Sequence, residues 1–246
     1  MKKKLKWTCA ILGVLAVALG GFFVWFWNSE PTGTSYGGNS AQKEAPPAEV
    51  PPFMSVETSK DLLEGFPKHV HGKMGEETFR AEYTGKLVRV KKMLMFDMEL
   101  YEVGCYIESP KPADTERMLS DMLEDGQRKV YIIKFSKPLP GRSILQAIKN
   151  EINETFKDVD MQKVGNDIDR FVKQFAHGSK SNECIYVSWQ PGGRLYSSYN
   201  APDKMELISV DVPLSRAIWR IWCGPLAGPE RLGMVKHYAT PPMDMK

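Results

Sequence analysis

Most of the short motifs that identify catalytic or metal-binding proteins are missing from this sequence. It contains no phosphate-binding loop, no H-E-x-x-H zinc motif and no dinucleotide fingerprint. Histidine is scarce, with 4 residues in the chain, and the only close pair is His69 and His71. That pair lies in a turn-like stretch with Pro67 and Gly72, which disfavours a zinc site. We therefore expect no metal and no other cofactor.

Cysteine is equally scarce, with 4 residues and no C-x-x-C spacing. Cys9 lies within an apolar run, which leaves Cys105, Cys184 and Cys223 in the rest of the chain. In an oxidising compartment two of these three could form a disulfide, and the sequence leaves the pairing open. Buried free thiols are the alternative.

The chain also lacks an excess of charge of one sign. Its formal net charge is +3, and residues 1–6 alone hold four lysines. The remainder is nearly neutral, so it has none of the basic patches that nucleic-acid binding requires. We expect no nucleic-acid partner.

One long apolar run, residues 7–27, contains no charged residue. As a helix it would measure about 30 Å, the thickness of the hydrocarbon layer. A cleaved signal peptide is the alternative, because Ala16 to Ala18 fits a cleavage site. The aromatic block at 22–27 favours an uncleaved anchor, since aromatic residues gather at membrane interfaces.

These features predict a single-pass membrane protein. Lysines precede the span and none follows it immediately, so the N-terminus is expected in the cytoplasm and the folded domain on the extracytoplasmic side. The predicted parts are a basic tip (1–6), a transmembrane signal-anchor helix (7–27), a flexible Gly-, Ser- and Pro-rich linker (28–52), a domain (53–238) and a tail (239–246).

The hydrophobic period changes several times along the domain. Alternation from Phe79 to Tyr83 predicts a strand that Gly85 ends, and the stretch from Leu62 to Phe66 suggests a short helical turn. The predicted order is strands, a helix, a strand, two helices, three strands and a final helix that opens at Pro213. This order indicates an α+β fold with a large antiparallel sheet and helices gathered on one side.

The stretch from Gly85 to Glu108 is apolar and strand-forming, with basic residues at its head. Arg89 and Lys91 lie two residues apart and are expected on one face. A guanidinium at the mouth of an apolar cleft suits an elongated ligand with a carboxylate or phenolate end. The alternative is a solvated strand edge protected by charge, and the residues alone favour that alternative.

Two parts of this stretch resemble the chalcone isomerase-like superfamily. They are Gly85-Lys-Leu-Val-Arg89 and Tyr101-Glu-Val-Gly104-Cys-Tyr106-Ile-Glu108. In the superfamily a Gly…Arg segment is followed by a strand that ends in Gly-x-Tyr-Leu-Glu. Further similarity lies in the segments 141–144, 191–193 and 212–225, so the resemblance covers roughly 66–235. It implies an open-faced β-sandwich.

The superfamily includes isomerases that close a flavanone ring and relatives that hold a fatty-acid carboxylate with an Arg and a Tyr. The resemblance places Arg89 at the family arginine, Tyr101 at a catalytic-site threonine and Tyr106 at the Gly-x-Tyr tyrosine. Lys91 or Lys92 is the alternative cation. The implied ligand-binding set is Arg89, Tyr101, Tyr106 and Lys91, and the first three would be catalytic if the domain is active.

The chain departs from the isomerases at other positions. Ile144 replaces their second tyrosine, Glu151 their asparagine, and Ile221 and Trp222 their Thr-Met pair. Most polar groups of the cyclisation are thereby lost, which favours a non-catalytic domain that binds a fatty acid or similar amphiphile. The alternatives are an intramolecular lyase or isomerase acting on an unsaturated carbonyl compound, and a structural or partner-binding module.

Overall fold

The computed structural model describes residues 50–92, 97–157 and 159–240. These ranges contain ten strands, four α-helices and two 3₁₀ helices. The strands are β1 (Phe53–Thr58), β2 (Leu62–Leu63), β3 (Phe66–Pro67), β4 (His69–Met74), β5 (Glu77–Lys92), β6 (Asp97–Glu108), β7 (Lys129–Phe135), β8 (Cys184–Gln190), β9 (Arg194–Tyr199) and β10 (Met205–Val210). The helices are α1 (Thr115–Asp121), α2 (Gly141–Thr155), α3 (Met161–Lys173) and α4 (Val212–Cys223), and the 3₁₀ helices are Pro225–Ala227 and Pro229–Val235.

The predicted transmembrane segment, 7–27, lies outside the described residues, as do the basic tip and most of the linker. Across the described ranges, no helix combines the length and apolar character that a membrane crossing requires.

Eight strands form one antiparallel sheet in the order β1-β10-β9-β8-β7-β6-β5-β4. The predicted large antiparallel sheet is therefore confirmed. Its two ends meet, because Phe53 and Met54 of β1 pair with β10 while Ser55 to Thr58 pair with β4. The sheet is thus closed, whereas the resemblance implied an open face. Because β1 pairs with both β10 and β4, both edges of the sheet are paired.

The closed sheet separates two apolar cores. The inner core lies on the enclosed face and includes Val70, Phe79, Tyr83, Tyr106, Ile132 and Met205. The helix-side core lies on the opposite face, between the sheet and the helices, and includes Leu87, Val103, Ile133, Ile148, Phe171 and Trp219. The predicted α+β arrangement, with helices over one side of a large sheet, is confirmed.

Strand β5 runs straight through the glycine that was expected to end it. Gly85 pairs with Cys105, and the predicted single stretch from Gly85 to Glu108 is instead the end of β5 followed by β6. The residue between Tyr83 and Gly85 has no partner in the β6 register, so β5 contains a bulge there. The extra residue, Thr84, donates its hydroxyl to the carbonyl of Met234 at 2.7 Å.

The bulge decides which face the second half of β5 presents. Phe79 and Tyr83 face the inner core, but Leu87, four residues beyond Tyr83, belongs to the helix-side core. Simple alternation would keep all three on one face, because strand side chains repeat every two residues. The inserted residue shifts the phase by one and so brings Arg89 to the helix side.

Both glycines of the resemblance have a packing reason. A Cβ on Gly85, whose φ is +148°, would lie 2.0 Å from the carbonyl oxygen of Gly233 in the second 3₁₀ helix. A Cβ on Gly104 would lie 2.4 Å from the ring of Phe66. The segments that cross the sheet at these points can approach only because the strand has no side chain there.

Two local predictions before Phe79 were wrong. Residues His69–Met74 form β4, not a turn, because the Phe79 ring covers Gly72 and the strand continues past it. The stretch from Leu62 to Phe66 belongs to a hairpin of β2 and β3 with a two-residue loop, and it is not a helical turn. Glu64 and Gly65 both have positive φ, which is the conformation of the hairpin turn that matches strand twist.

The four helices occur in the predicted order, and three of them have an aspartate N-cap. Asp114 caps α1, Asp160 caps α3 and Asp211 caps α4, each accepting hydrogen bonds from backbone N–H groups of the first turn. The last helix ends at Gly224, whose Cβ would meet the Arg220 carbonyl oxygen at 2.5 Å. Together α2 and α4 lie over the part of the helix-side core that contains the candidate site.

Candidate functional site

Arg89 and Tyr101 lie directly opposite each other on neighbouring strands. They are register partners of β5 and β6, and the Tyr101 side chain packs against the helix-side core. One residue further along β5 the register shifts again, between Arg89 and Val90. The pair therefore occupies the last regular position of the hairpin before its irregular end.

Arg89 reaches from the sheet to the helical layer. Its Nη2 lies 3.3 Å from Oε1 of Glu151 on α2, and its Nη1 donates to the carbonyl of Ala227 at 3.4 Å. The Arg89 side chain is 24% exposed and the Glu151 side chain 30% exposed. Burial opposes the charge, but Tyr101 and the charges of Glu151 and Glu230 outweigh it and raise the pKa of Arg89.

Tyr101 is held from its other side by the final helix. The indole N–H of Trp222 on α4 donates to the Tyr101 hydroxyl oxygen at 3.4 Å, and the Tyr101 ring packs edge-on against Phe135. Because this hydroxyl oxygen accepts the bond from Trp222, its own O–H points elsewhere and can donate to another group. The arrangement offers a cation and a phenol donor side by side.

Tyr101 packs against the apolar helix-side core. Ile144 and Ile148 of α2 are buried there, and Leu139 and Leu145 pack against the same core. From the sheet, Leu87 and Val103 supply the opposite wall. The site thus joins one charged end to an apolar interior, which is the general pattern of sites for amphiphilic molecules.

The structure separates the predicted site residues. Arg89 and Tyr101 come together, whereas Tyr106 is fully buried in the inner core on the other face of the sheet, packed against Tyr83. Burial raises the pKa of Tyr106 far above its ordinary value. Lys91 is exposed near the end of β5. Tyr101 and Tyr106 are five residues apart, and strand alternation alone would have placed them on opposite faces.

Two further residues of the site were not predicted as contacts. By resemblance, Trp222 lies at a position of the isomerases' Thr-Met pair and was interpreted as part of a loss of polar groups. Its indole N–H nevertheless donates to the Tyr101 hydroxyl. Glu151 counted only as a replacement for an asparagine, yet its carboxylate pairs with Arg89. Their positions in the resembling family were the available signal, while their contacts depend on how α2 and α4 pack. Ile144 and Ile221 are buried and bring no polar group.

Two cavities lie elsewhere on the described part of the chain. The larger, about 680 Å³, lies along β1, β4 and β5, and its lining includes Glu57, His71 and Arg80. The smaller, about 230 Å³, lies beside Phe53 and Asp203. Arg89 and Tyr101 line neither cavity. Neither cavity therefore corresponds to an apolar cleft with Arg89 at its mouth.

Cysteine and histidine form no reactive centre in the described ranges. Cys105, Cys184 and Cys223 are free thiols, and burial raises the pKa of Cys223 to about 11. The rings of His69 and His71 lie 5.0 Å apart, edge to face. No group of three or more His, Cys, Asp or Glu side chains among the described residues is placed to hold a metal ion.

Comparison with known proteins identifies the fold. No protein-family model matches the chain, and no curated protein matches it significantly. Among solved structures, the chain is similar to the Arabidopsis thaliana fatty-acid binding protein AtFAP1, with a TM-score of 0.50 and 15% sequence identity. The similarity covers 70% of this chain and 92% of AtFAP1. The described part of the chain therefore has the chalcone isomerase-like fold, an antiparallel sheet with a layer of helices.

Proposed function

We propose that the domain is a non-catalytic binding module for a small amphiphile such as a fatty acid. In this proposal Arg89 and Tyr101 hold the head group, and the chain of the ligand lies among the apolar residues of the helix-side core. The observation that carries it is the Arg89–Tyr101 pair, a guanidinium beside a phenol at the edge of an apolar interior. That AtFAP1, a fatty-acid binding protein, has a similar fold supports the same assignment.

The chemistry of the pair suits a carboxylate. A guanidinium donates two parallel hydrogen bonds to carboxylate oxygens, and a phenol O–H can add a third. The ligand chain would enter between α2 and the sheet, since α2 contributes both Glu151 and the buried Ile144 and Ile148.

A scintillation proximity assay with radiolabelled laurate tests the proposal. We expect the full-length chain in digitonin, a detergent without an alkyl chain, to bind laurate saturably with a stoichiometry near one, and Arg89→Ala to lose at least about tenfold in affinity. Arg80→Ala is the matched control, because Arg80 is an exposed arginine of the same strand that pairs with Glu82. Equal laurate binding by the Arg89→Ala variant and the wild type would show that Arg89 is not the anchor.

The isomerase alternative has less support from the site. Arg89 and Tyr101 could stabilise an oxyanion and donate a proton, but Ile144 and Ile221 are apolar and buried at positions where the isomerases have polar groups. A partner-binding module has one observation in its favour, since Arg89 already has an internal partner in Glu151. Complete failure of the chain to bind laurate would favour that module.

We further propose that residues 7–27 hold this domain on the extracytoplasmic side of a membrane. The support is the uncharged apolar run, the lysines before it and the aromatic block at its end. Resistance of the full-length chain to carbonate extraction, together with protease access to the C-terminal domain from the extracytoplasmic side only, is the expected result. Release by carbonate would contradict membrane anchoring.

A further inference from the structure

Arg89, the proposed anchor of the ligand, already forms an ion pair within the protein. Nη2 of Arg89 lies 3.3 Å from the Glu151 carboxylate, and the charge of Glu230 acts on the same guanidinium. At least two negative groups therefore already act on this guanidinium. The pair is only partly exposed, with 24% of Arg89 and 30% of Glu151 accessible, so solvent screens it less than a pair on the open surface.

This charge balance has a consequence for the head group of a ligand. A free carboxylate would add a third negative charge and would have to share or displace the Glu151 contact. An uncharged ester or ketone oxygen needs only one hydrogen bond, for which the Tyr101 hydroxyl is available. Glu151 therefore makes the binding free energy less favourable for negatively charged head groups but not for neutral ones.

We propose that Glu151 is the specificity-determining residue of the cleft, a built-in competitor that weakens binding of free carboxylates relative to neutral acyl esters. The inference rests on the proposed function, because it assigns the head-group preference of the same site. Its structural basis is that anchor and competitor come from different layers, Arg89 from β5 and Glu151 from α2. A carboxylate that displaces Glu151 also breaks this link between helix and sheet.

The test compares an acid with its ester in the variant Glu151→Gln. The substitution keeps the shape of the side chain and removes its charge. We expect the affinity of the full-length chain for laurate to rise about tenfold, which corresponds to ~1.4 kcal/mol, while the affinity for methyl laurate stays within about twofold. Glu57→Gln makes the same change in net charge at an exposed position of β1 and should alter neither affinity.

Arg89 itself provides a second measurement. Removal of the Glu151 carboxylate should speed the modification of Arg89 by phenylglyoxal, measured by peptide mass mapping. An unchanged modification rate would overturn the claim that Glu151 occupies the guanidinium. Equal shifts for laurate and methyl laurate, or weaker laurate binding, would overturn the inference while leaving the proposed function in place. Failure of every variant to bind either ligand would refute the proposed function and the inference together.

Discussion

Replacing Gly85 by alanine should destabilise the domain severely and disturb the site through the backbone. The new Cβ would lie 2.0 Å from the carbonyl oxygen of Gly233, a backbone atom that no rotamer change can move. The φ of +148° adds a conformation that L side chains rarely adopt, which costs about 1–3 kcal/mol. Overpacking adds about 1–3 kcal/mol more. We expect Gly85→Ala to lower the free energy of unfolding by about 3–5 kcal/mol.

The loss should extend to Arg89, because Gly85 follows the bulge that sets the face of β5. Relief of the clash must push the second 3₁₀ helix away from the strand and weaken the 2.7 Å hydrogen bond from Thr84 to Met234. Urea unfolding of the full-length chain, followed by tryptophan fluorescence, measures the stability, and laurate binding measures the site.

Gly165→Ala is the control for this prediction. Gly165 lies within helix α3 and a Cβ there would meet nothing within 4 Å. The same substitution should therefore stabilise the domain by about 0.5–1 kcal/mol, since alanine is the better helix former. A Gly85→Ala variant whose free energy of unfolding lies within about 0.5 kcal/mol of the wild type would refute the reasoning from close backbone approach.

Two further predictions concern packing and pH. Gly104→Ala should lower the free energy of unfolding by about 2 kcal/mol, because its Cβ would lie 2.4 Å from the Phe66 ring. In a Phe66→Leu background this loss should shrink by at least about 1 kcal/mol. Additive losses in a double-mutant cycle would contradict a direct clash. Burial lowers the pKa of Lys129 to about 8. Above that pH the folded lysine is neutral, while the unfolded one keeps its proton up to about 10.4, so its contribution to stability rises with pH across this window and is lost as pH falls through 8. The free energy of unfolding of the wild type minus that of Lys129→Met should thus rise by up to about 3 kcal/mol from pH 7 to pH 10.5; a flat difference would show that Lys129 is not perturbed.

Much of the fold could be predicted because it follows from local periodicity. The alternation from Phe79 to Tyr83 predicted a strand, and the later changes of hydrophobic period predicted the order of helices and strands, since each period reflects the geometry of its own element. Local rules failed where a distant segment intervened. Gly72 and Gly85 were interpreted as breaks, but Phe79 covers the first and Gly233 approaches the second, so both strands continue.

The candidate site could be predicted only in part from the sequence. Arg89 and Tyr101 were selected by resemblance, and the structure makes them register partners. Alternation along β6 would have separated Tyr106 from them, because a spacing of five changes the face of a strand. The contact of Glu151 on α2 with Arg89 on β5 had no signal in either segment, since it joins residues 62 positions apart.

The sequence by itself determined the class of the fold and the order of its elements. These depend on properties of short segments, namely hydrophobic period, turn residues and the quoted family motifs. Only the tertiary structure decided that one inserted residue turns Arg89 toward the helices, that β1 closes the sheet, and that Glu151 and Trp222 contact the Arg89–Tyr101 pair. Those outcomes depend on how separate segments pack against one another, and the spacing of residues within any one segment does not contain that information.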